Sequence, residues 1–238
     1  MQGIEYLRKK LQRYRRGALS RQLRYDMKNT EIEPSIAIPP ALRMQYRATL
    51  GWCAKAVDSI ADRLVFREFA NDNFNINEIF RMNSSDVLFD DAMLSALVNS
   101  CSFVYISEGE EDIPRLQVIQ GSEATGILDP ITRLLTEGYT VLSRDDYGKP
   151  IEELYFIAGR TDYYVDGKLA TYTENNAPYP LLVPIIHKPD SSRQFGRSRI
   201  TKSAIYWQRY AKRTLERADV ASEFYSFPQK YVVGLSQD

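Results

Sequence analysis

The chain is poor in the residues that most enzymes use for catalysis and metal binding. It contains one histidine, His187, and two cysteines, Cys53 and Cys101, among 238 residues. Neither cysteine has the spacing of a metal site or a redox pair, so both indicate plain burial in a reducing compartment. A Ser-His-Asp or Cys-His arrangement would have to use His187, which we interpret as a structural histidine at a strand end. We expect no catalytic, metal or cofactor site, and no enzyme activity.

Glycine-rich motifs and long apolar segments are also missing. The 12 glycines are scattered, and neither GxGxxG nor GxxxxGK[ST] occurs. The sequence therefore offers no support for a nucleotide-binding fold or a packaging ATPase. No apolar run approaches the roughly 20 residues of a membrane span, and the N-terminus is charged from Arg8 onward, unlike a signal peptide. We expect a protein that is neither secreted nor inserted in a membrane.

The acidic residues form no recognisable catalytic or calcium-binding pattern. Residues 108–112 lack the alternation of a calcium loop, and we interpret them as a solvated hairpin tip. The pairs Asp90-Asp91 and Asp145-Asp146 point in different directions on a helix or in a turn, so helix capping and solubility explain them. A hydrolase of unrecognised type is a rival hypothesis. It would need His187 beside an acid and a nucleophile.

Positive and negative charges are equal in number, at 31 each, but unequal in distribution. In residues 1–28, nine basic residues oppose two acidic ones. In residues 68–129, acids predominate, and only Arg81 and Arg115 oppose them. A subunit with a basic end and an acidic middle can pair with copies of itself, whereas solvated loops would show the same pattern. The sequence leaves both interpretations open.

Apolar residues recur with helical period in four segments. Residues 1–28 predict a basic, weakly amphipathic helix followed by a looser arm. Residues 42–64 predict a core helix of about six turns. A third helix is predicted to run from Ser85 or Asp86 to Asn99, with Ser85 or Asp86 as its cap. A last helix of some six turns is predicted after Gly196, and its apolar face would carry Ile200, Ala204, Trp207, Ala211, Leu215 and Ala218.

From Ser102 the chain is rich in β-branched and aromatic residues broken by turns, which predicts an antiparallel sheet or small barrel. The predicted strands are residues 103–107, 115–120, 140–144, 151–158 and 161–165. Hairpin turns are predicted at residues 145–148 and 165–168. Prolines on either side of residues 181–183 predict a crossing strand or linker, away from a sheet centre. A short strand is predicted at residues 230–233.

The last predicted helix has a basic face. It carries Arg197, Arg199, Lys202, Arg209, Lys212, Arg213 and Arg217, of which the first six are our candidates for contact with another subunit or with DNA. Such a helix can grip phosphates, and its aromatic residues can stack on bases. Alternatively, it is anchored in the core and turns its basic side to solvent or to another subunit. We favour subunit contact for Arg209, Lys212 and Arg213, because tight phosphate contacts would hinder DNA sliding.

A series of short motifs runs along nearly the whole chain. They lie at residues 50–66, 96–104, 126–130, 182–186, 196–200, 213–215, 221–225 and 227–234. In this order and at about this spacing they resemble portal proteins of long-tailed bacteriophages, in the branch related to the siphophage connector. Residues 57–64 resemble the family's recurrent VD..A.RL stretch. Ser100-Cys101-Ser102-Phe103 departs from the family, which often has Tyr-Gly before an aromatic residue at this point.

The resemblance implies an α+β fold, with a portal-like wing domain of antiparallel sheet flanked by long helices, leading into a stem helix. Residues 1–40 would form a basic N-terminal arm or helix, and residues 41–183 the wing domain. Residues 184–238 would form a linker, a long basic helix near the stem and clip, and the start of a next element. The chain would be the N-terminal half of such a protein, with the later stem, tunnel and crown beyond Asp238.

The implied function is that of a structural subunit of the portal ring at the capsid vertex, which forms the channel for DNA packaging and ejection. The implied partners are copies of the chain in a ring, usually dodecameric, the terminase large subunit, head-tail connector or adaptor proteins, the capsid protein and the double-stranded DNA in the channel. No membrane is involved. The protein would reside in the virion after assembly in the host cytoplasm. The alternative is a DNA-binding module that uses the basic arm and the basic helix.

Overall fold

Helices and antiparallel strands occupy separate blocks of the chain. The computed structural model describes residues 2–28, 48–72, 74–109 and 113–226. The described helices are α1 (Ile4–Tyr25), α2 (Trp52–Ala61), α3 (Ile76–Met82), α4 (Ser85–Asn99) and α5 (Lys202–Ser226). The described strands are β1 (Cys101–Ser107), β2 (Arg115–Gln120), β3 (Ala124–Leu128), β4 (Leu135–Arg144), β5 (Pro150–Ile157), β6 (Arg160–Val165), β7 (Lys168–Glu174) and β8 (Leu182–Ile186). The predicted α+β class is confirmed. The predicted strand at residues 230–233 lies outside the described residues.

The strands form two antiparallel sheets. The smaller has the order β2-β1-β8, and the larger is a meander with the order β3-β4-β5-β6-β7. Strand β8 lies at an edge, where Pro184 can occupy the ladder opposite Phe103 without interrupting a central strand. The prediction that this segment avoids the centre of a sheet is confirmed.

Both predicted hairpin turns are present. Asp166 and Gly167 join β6 to β7 with φ values of 48° and 78°, a left-handed conformation that glycine adopts without strain. Between β4 and β5, the Asp145 carboxylate accepts hydrogen bonds from the backbone amides of Tyr147 at 3.0 Å and Lys149 at 2.7 Å. Local side-chain and backbone chemistry therefore sets these two reversals.

Two hydrophobic cores lie against the larger sheet. One is enclosed between the two sheets and includes Phe103 of β1 and Phe156 of β5, both fully buried. In the other, Leu7 and Leu11 of α1 pack against Tyr139 and other residues of β4 and β5. Helix α1 is thus an integral layer of the fold, held by apolar packing on the sheet.

Buried carboxylates reinforce the position of α1. The Glu137 carboxylate accepts hydrogen bonds from the backbone amides of Gln2 at 2.6 Å and Gly3 at 2.9 Å, and from the Tyr155 hydroxyl at 2.8 Å. Burial alone would raise the pKa of Glu137, but these hydrogen bonds outweigh it and lower the pKa. The carboxylate is thereby kept ionised beneath the start of the helix.

A third core joins α2 and α4 to the segment before α5. Its buried members are Cys53, Val57, Leu97, Val98 and Ile200. Cys53 and Cys101 are both free thiols and both buried, so the predicted burial without a disulfide is confirmed.

One predicted helix start is wrong, and a second helix, α4, has the predicted bounds but a different cap. Residues 48–51 are not helical, and α2 begins at Trp52 after Gly51, so the described part of the predicted helix at residues 42–64 has ten helical residues. Gly51 is a poor helix former, and the first turn of α2 is fixed by a distant side chain described below. In α4, the first helical residue is Ser85, the cap position is Ser84 in a left-handed conformation, and no side chain caps the helix. The motif Ser84-Ser85-Asp86 offers three alternative caps, and packing of the apolar residues selects the start.

Candidate subunit interface

Helix α5 is held against the body of the protein by one side of residues 205–216. Ile205 packs into the core shared by α2 and α4. The buried Gln208 accepts a hydrogen bond through Oε1 from the Cys53 backbone amide at 2.8 Å. Farther along, Glu216 Oε1 accepts one from the Ala48 amide at 3.3 Å. Because residues three, four and eight positions apart share one side of a helix, the opposite side of α5 faces away from the body.

Three exposed aromatic residues, Tyr206, Trp207 and Tyr210, lie on the outward side, and we name them the aromatic stripe. Their exposed fractions are 60%, 56% and 47%. The ring centroids of Tyr206 and Trp207 are 5.3 Å apart, and those of Trp207 and Tyr210 are 6.0 Å apart, both edge to face. The Arg213 guanidinium lies 5.4 Å from the Tyr210 ring centre. Contiguous exposed aromatic surface of this kind marks an interaction site.

The predicted burial of Trp207 and Leu215 is wrong. Both are exposed, and Ile200, assigned to the same helical face, is buried but precedes the first helical residue. Each residue of a helix is rotated by about 100° from the last, so the face around Gln208 neighbours the apolar one. The body contacts the Gln208 face because that side chain satisfies a backbone amide of α2. Apolar periodicity could not show this preference.

The second half of α5 has few contacts with the described body. The side chains of residues 217–226 whose placement is described are exposed, apart from the partly buried Val220. Isolated helices shorter than about 12–15 residues are marginal in water. A further packing partner would therefore stabilise this end of the helix.

The six candidate cations do not form one basic face. Arg197 and Arg199 precede α5, which begins at Lys202, so their assignment to the helix is wrong. Arg197 forms an ion pair with Asp190, and Arg199 Nε donates to the Ala56 carbonyl at 3.2 Å. The helix could not extend back to these two residues, because their segment is fixed to the body. Lys202 is exposed.

The other three candidates are divided between two sides of α5. Arg209 and Lys212 line a cleft of about 420 Å³ together with Arg24 and Lys28 from the end of α1. Arg213 instead accompanies the aromatic stripe. Arg209 and Lys212 therefore share a cleft with basic residues of α1, whereas Arg213 lies on the outward side of α5.

A groove near α2 and α4 is acidic and apolar, which is complementary to the outward side of α5. Four aspartates line this groove of about 320 Å³, and we name it the acidic groove: Asp58, Asp62, Asp86 and Asp90. Its apolar lining includes Val65 and Leu94, and Val65 is 75% exposed. The Tyr25 hydroxyl donates to Asp58 Oδ1 at 2.9 Å, and burial together with this hydrogen bond raises the pKa of Tyr25 to about 12.

A cluster of phenylalanines borders the acidic groove. Phe66 stacks on Phe89 with ring centroids 3.9 Å apart, and Phe80 lies 5.2 Å from Phe89. The acidic middle predicted from the sequence includes Asp86 and Asp90, but neither this cluster nor Asp58 and Asp62 was predicted. The signals were present as the i, i+4 pairs Asp58/Asp62 and Asp86/Asp90. The two pairs line one groove only because α2 packs against α4.

His187 has a hydrogen-bonding role in the described structure. Its Nδ1 lies 2.6 Å from the Arg197 carbonyl oxygen, which can only accept, so Nδ1 carries the proton in this contact. Its backbone amide donates to the Ser100 carbonyl at 2.9 Å, directly after β8 ends. Within the described ranges no carboxylate hydrogen-bonds to the ring, and no cluster of three potential metal ligands occurs.

Comparison with known proteins leaves the family open. No protein-family model matches the chain, and no curated protein matches it. A search of the described helices finds none that is both long and apolar enough to cross a bilayer.

Proposed function

We propose that this chain is a structural subunit of a phage portal ring, in which the outward side of α5 packs against the acidic groove of the next subunit. The aromatic stripe carries this proposal. Tyr206, Trp207 and Tyr210 present contiguous aromatic surface on a helix whose other side packs against the body of the protein. An aromatic surface beside an arginine has the composition of a protein interface core.

Ring symmetry requires two different surfaces on each subunit. A heterologous interface places one patch of a subunit against a different, complementary patch of its neighbour, and repetition closes a ring. The aromatic stripe with Arg213 offers aromatic and positive surface, and the acidic groove offers apolar and negative surface. No hydrogen bond or ion pair joins these two patches inside the described part of one subunit, so both are free for a neighbour.

In the ring, the described domain would serve as the wing and α5 as the stem-proximal helix. Channel formation for DNA packaging and ejection follows from the closed ring, and the outer surfaces would meet terminase and head-tail connector proteins. The motif order that resembles portal proteins supports this function, and so does the α+β architecture with a long helix before and after the strands in the sequence.

Charge reversal with rescue tests the interface. Light scattering after size exclusion should show discrete high-order assemblies for the unaltered chain. Arg213→Glu and Asp90→Arg should each reduce assembly, and the double variant should restore it, because every subunit would then carry both reversed charges. Lys168→Glu, the same type of change on the exposed strand β7, is the control and should assemble normally. Single variants that assemble like the control, or a double variant that assembles no better than the single variants, would reject this interface.

A DNA-binding module is the second candidate, and the cleft formed by Arg24, Lys28, Arg209 and Lys212 favours it. Four basic residues around one cleft can neutralise phosphates, and their binding would weaken steeply with salt. Fluorescence anisotropy with a labelled duplex at 50 and 200 mM salt distinguishes the two functions. The portal proposal expects weak or no binding by the isolated chain, whereas the alternative expects binding that Arg209→Ala weakens.

A further inference from the structure

A second cleft, lined by earlier residues of α1 than the one above, combines cationic side chains with an absence of acids. It has a volume of about 580 Å³ and lies between α1, the α4–β1 junction and the loop before α5. Its basic lining residues are Lys10, Arg21, Arg193 and Arg197, and no described lining residue is acidic. This volume falls within the range of small-molecule sites, about 300–1,000 Å³.

Lys10 and Arg21 are partly buried in this cleft without a carboxylate partner. Lys10 Nζ donates to the Gly126 carbonyl at 2.6 Å, which occupies one of its three hydrogens. Arg21 donates through Nε and Nη2 to the carbonyls of Val98 and Asn99, at 3.2 and 3.1 Å. Among the described residues, neither side chain pairs with an acid. Burial lowers the pKa of Lys10 and of Arg21, and the nearby Cys101 thiol offsets the lost solvation only in part.

Three other partly buried arginines, by contrast, are paired with carboxylates. Arg8 is paired with Glu153, and Arg15 and Arg144 share Glu123. Two uncompensated positive charges in one cleft are costly, and buried charges are normally paired. An anionic ligand would offset this cost.

The lining of the cleft also contains the side-chain amide of Asn99, which has no hydrogen-bond partner among the described residues. Asn99 is only 3% exposed, and neither its Nδ2 nor its Oδ1 has a hydrogen-bond partner in the part of the chain that the structure describes. The lining also has apolar members, among them Leu11 and Phe195, whose ring lies 4.6 Å from Lys10 Nζ. Two cations, an amide and apolar side chains suit a compound with an anionic head and a small organic body.

We propose that this cleft binds a phosphate group, either free or carried by a small phosphomonoester, with Lys10 and Arg21 as its principal charged contacts. A dianionic phosphate matches two cations better than a singly charged carboxylate does. It also presents acceptor oxygens to the remaining hydrogens of Lys10 and Arg21. Arg193, on the exposed loop, would close over the ligand. The site is independent of the ring interface, because the aromatic stripe and the acidic groove contribute no residue to it.

Calorimetric titration with inorganic phosphate and with phenyl phosphate tests the proposal. Chloride at matched ionic strength is the control for general screening. We expect saturable binding of at least one probe to the full chain. If phenyl phosphate binds more tightly than inorganic phosphate, the apolar lining contacts the organic part of a phosphomonoester. If the two bind equally, the site is one for free phosphate.

Three variants connect the binding to the cleft. Lys10→Met keeps the apolar stem and should weaken phosphate roughly tenfold or more, the size expected for a lost charge-assisted hydrogen bond. Lys9→Met, on the same helix but exposed and outside the cleft lining, should bind as the unaltered chain does. Arg193→Ser changes an exposed loop residue without disturbing the core and should weaken binding several-fold, so the test stands even if Lys10→Met fails to fold. No saturable binding, or equal binding by the unaltered chain, Lys10→Met and Arg193→Ser, would overturn the proposal.

Discussion

Gln208 of α5 accepts a hydrogen bond from the backbone amide of Cys53 in the first turn of α2, at 2.8 Å. A side chain in one helix thereby satisfies a donor that the other helix leaves unpaired at its start. This contact links residues 155 positions apart in the sequence. It decides where α2 begins and which side of α5 faces the body.

Removal of that acceptor should destabilise the protein. We expect Gln208→Leu to lower the free energy of unfolding by about 1–3 kcal/mol, because the Cys53 amide would remain buried without a partner. Urea denaturation followed by circular dichroism measures the change. Gln12→Leu, on the exposed surface of α1, is the control and should stay within about 0.5 kcal/mol of the unaltered chain. Equal stability of the two variants would contradict the capping role.

The hydrogen-bonded carboxylate of Glu137 predicts a pH dependence of stability. Its pKa is lowered in the folded state, so its contribution is present above the unfolded pKa, about 4.3, and disappears as the pH falls through the lower folded pKa. Glu137→Gln should therefore cost stability at pH 7, by about 1–3 kcal/mol. The difference from the unaltered chain should shrink below about pH 4.

Urea unfolding at several pH values between 3 and 7 measures this difference. Glu174→Gln, at the exposed end of β7, is the matched control and should show no such pH-dependent gap. A constant difference between Glu137→Gln and the unaltered chain across the range would show that the carboxylate charge contributes nothing.

Two large aromatic residues should respond to truncation in opposite ways. Phe103 is fully buried between the sheets, so Phe103→Ala should cost about 3–5 kcal/mol. Trp207→Ala should change the unfolding free energy by no more than about 0.5 kcal/mol, because the indole is exposed. It should nevertheless reduce self-association in light scattering. A large loss of monomer stability in Trp207→Ala would instead place Trp207 in the core.

The two cysteines should resist modification in the folded protein. Both thiols are buried, and burial raises the pKa of Cys101 to about 11 and also raises that of Cys53. The reactive thiolate is therefore scarce near neutral pH. Mass spectrometry after treatment with iodoacetamide at pH 7.5 should find no modification without denaturant and two modified cysteines in 8 M urea. Rapid labelling of the native chain would show that one of them is accessible.

Several elements could be predicted because their causes are local. The turn at Asp166-Gly167 needs positive φ values that glycine accepts. The helix ending at Asn99 was found from its apolar period, although its cap was misassigned. Helix α3 was missed because its seven residues are too few to show a reliable period.

The sequence alone determined the α+β class, the order of most elements, the uneven charge and the scarcity of catalytic side chains, because these depend on composition and on neighbouring residues. Only the tertiary structure decided that Trp207 faces outward, that Arg213 is separated from Arg209 and that Lys10 and Arg21 line one cleft without acids. Those outcomes depend on hydrogen bonds and packing between residues far apart in the chain. A local pattern carries no information about which of two adjacent helical faces such a contact will bury.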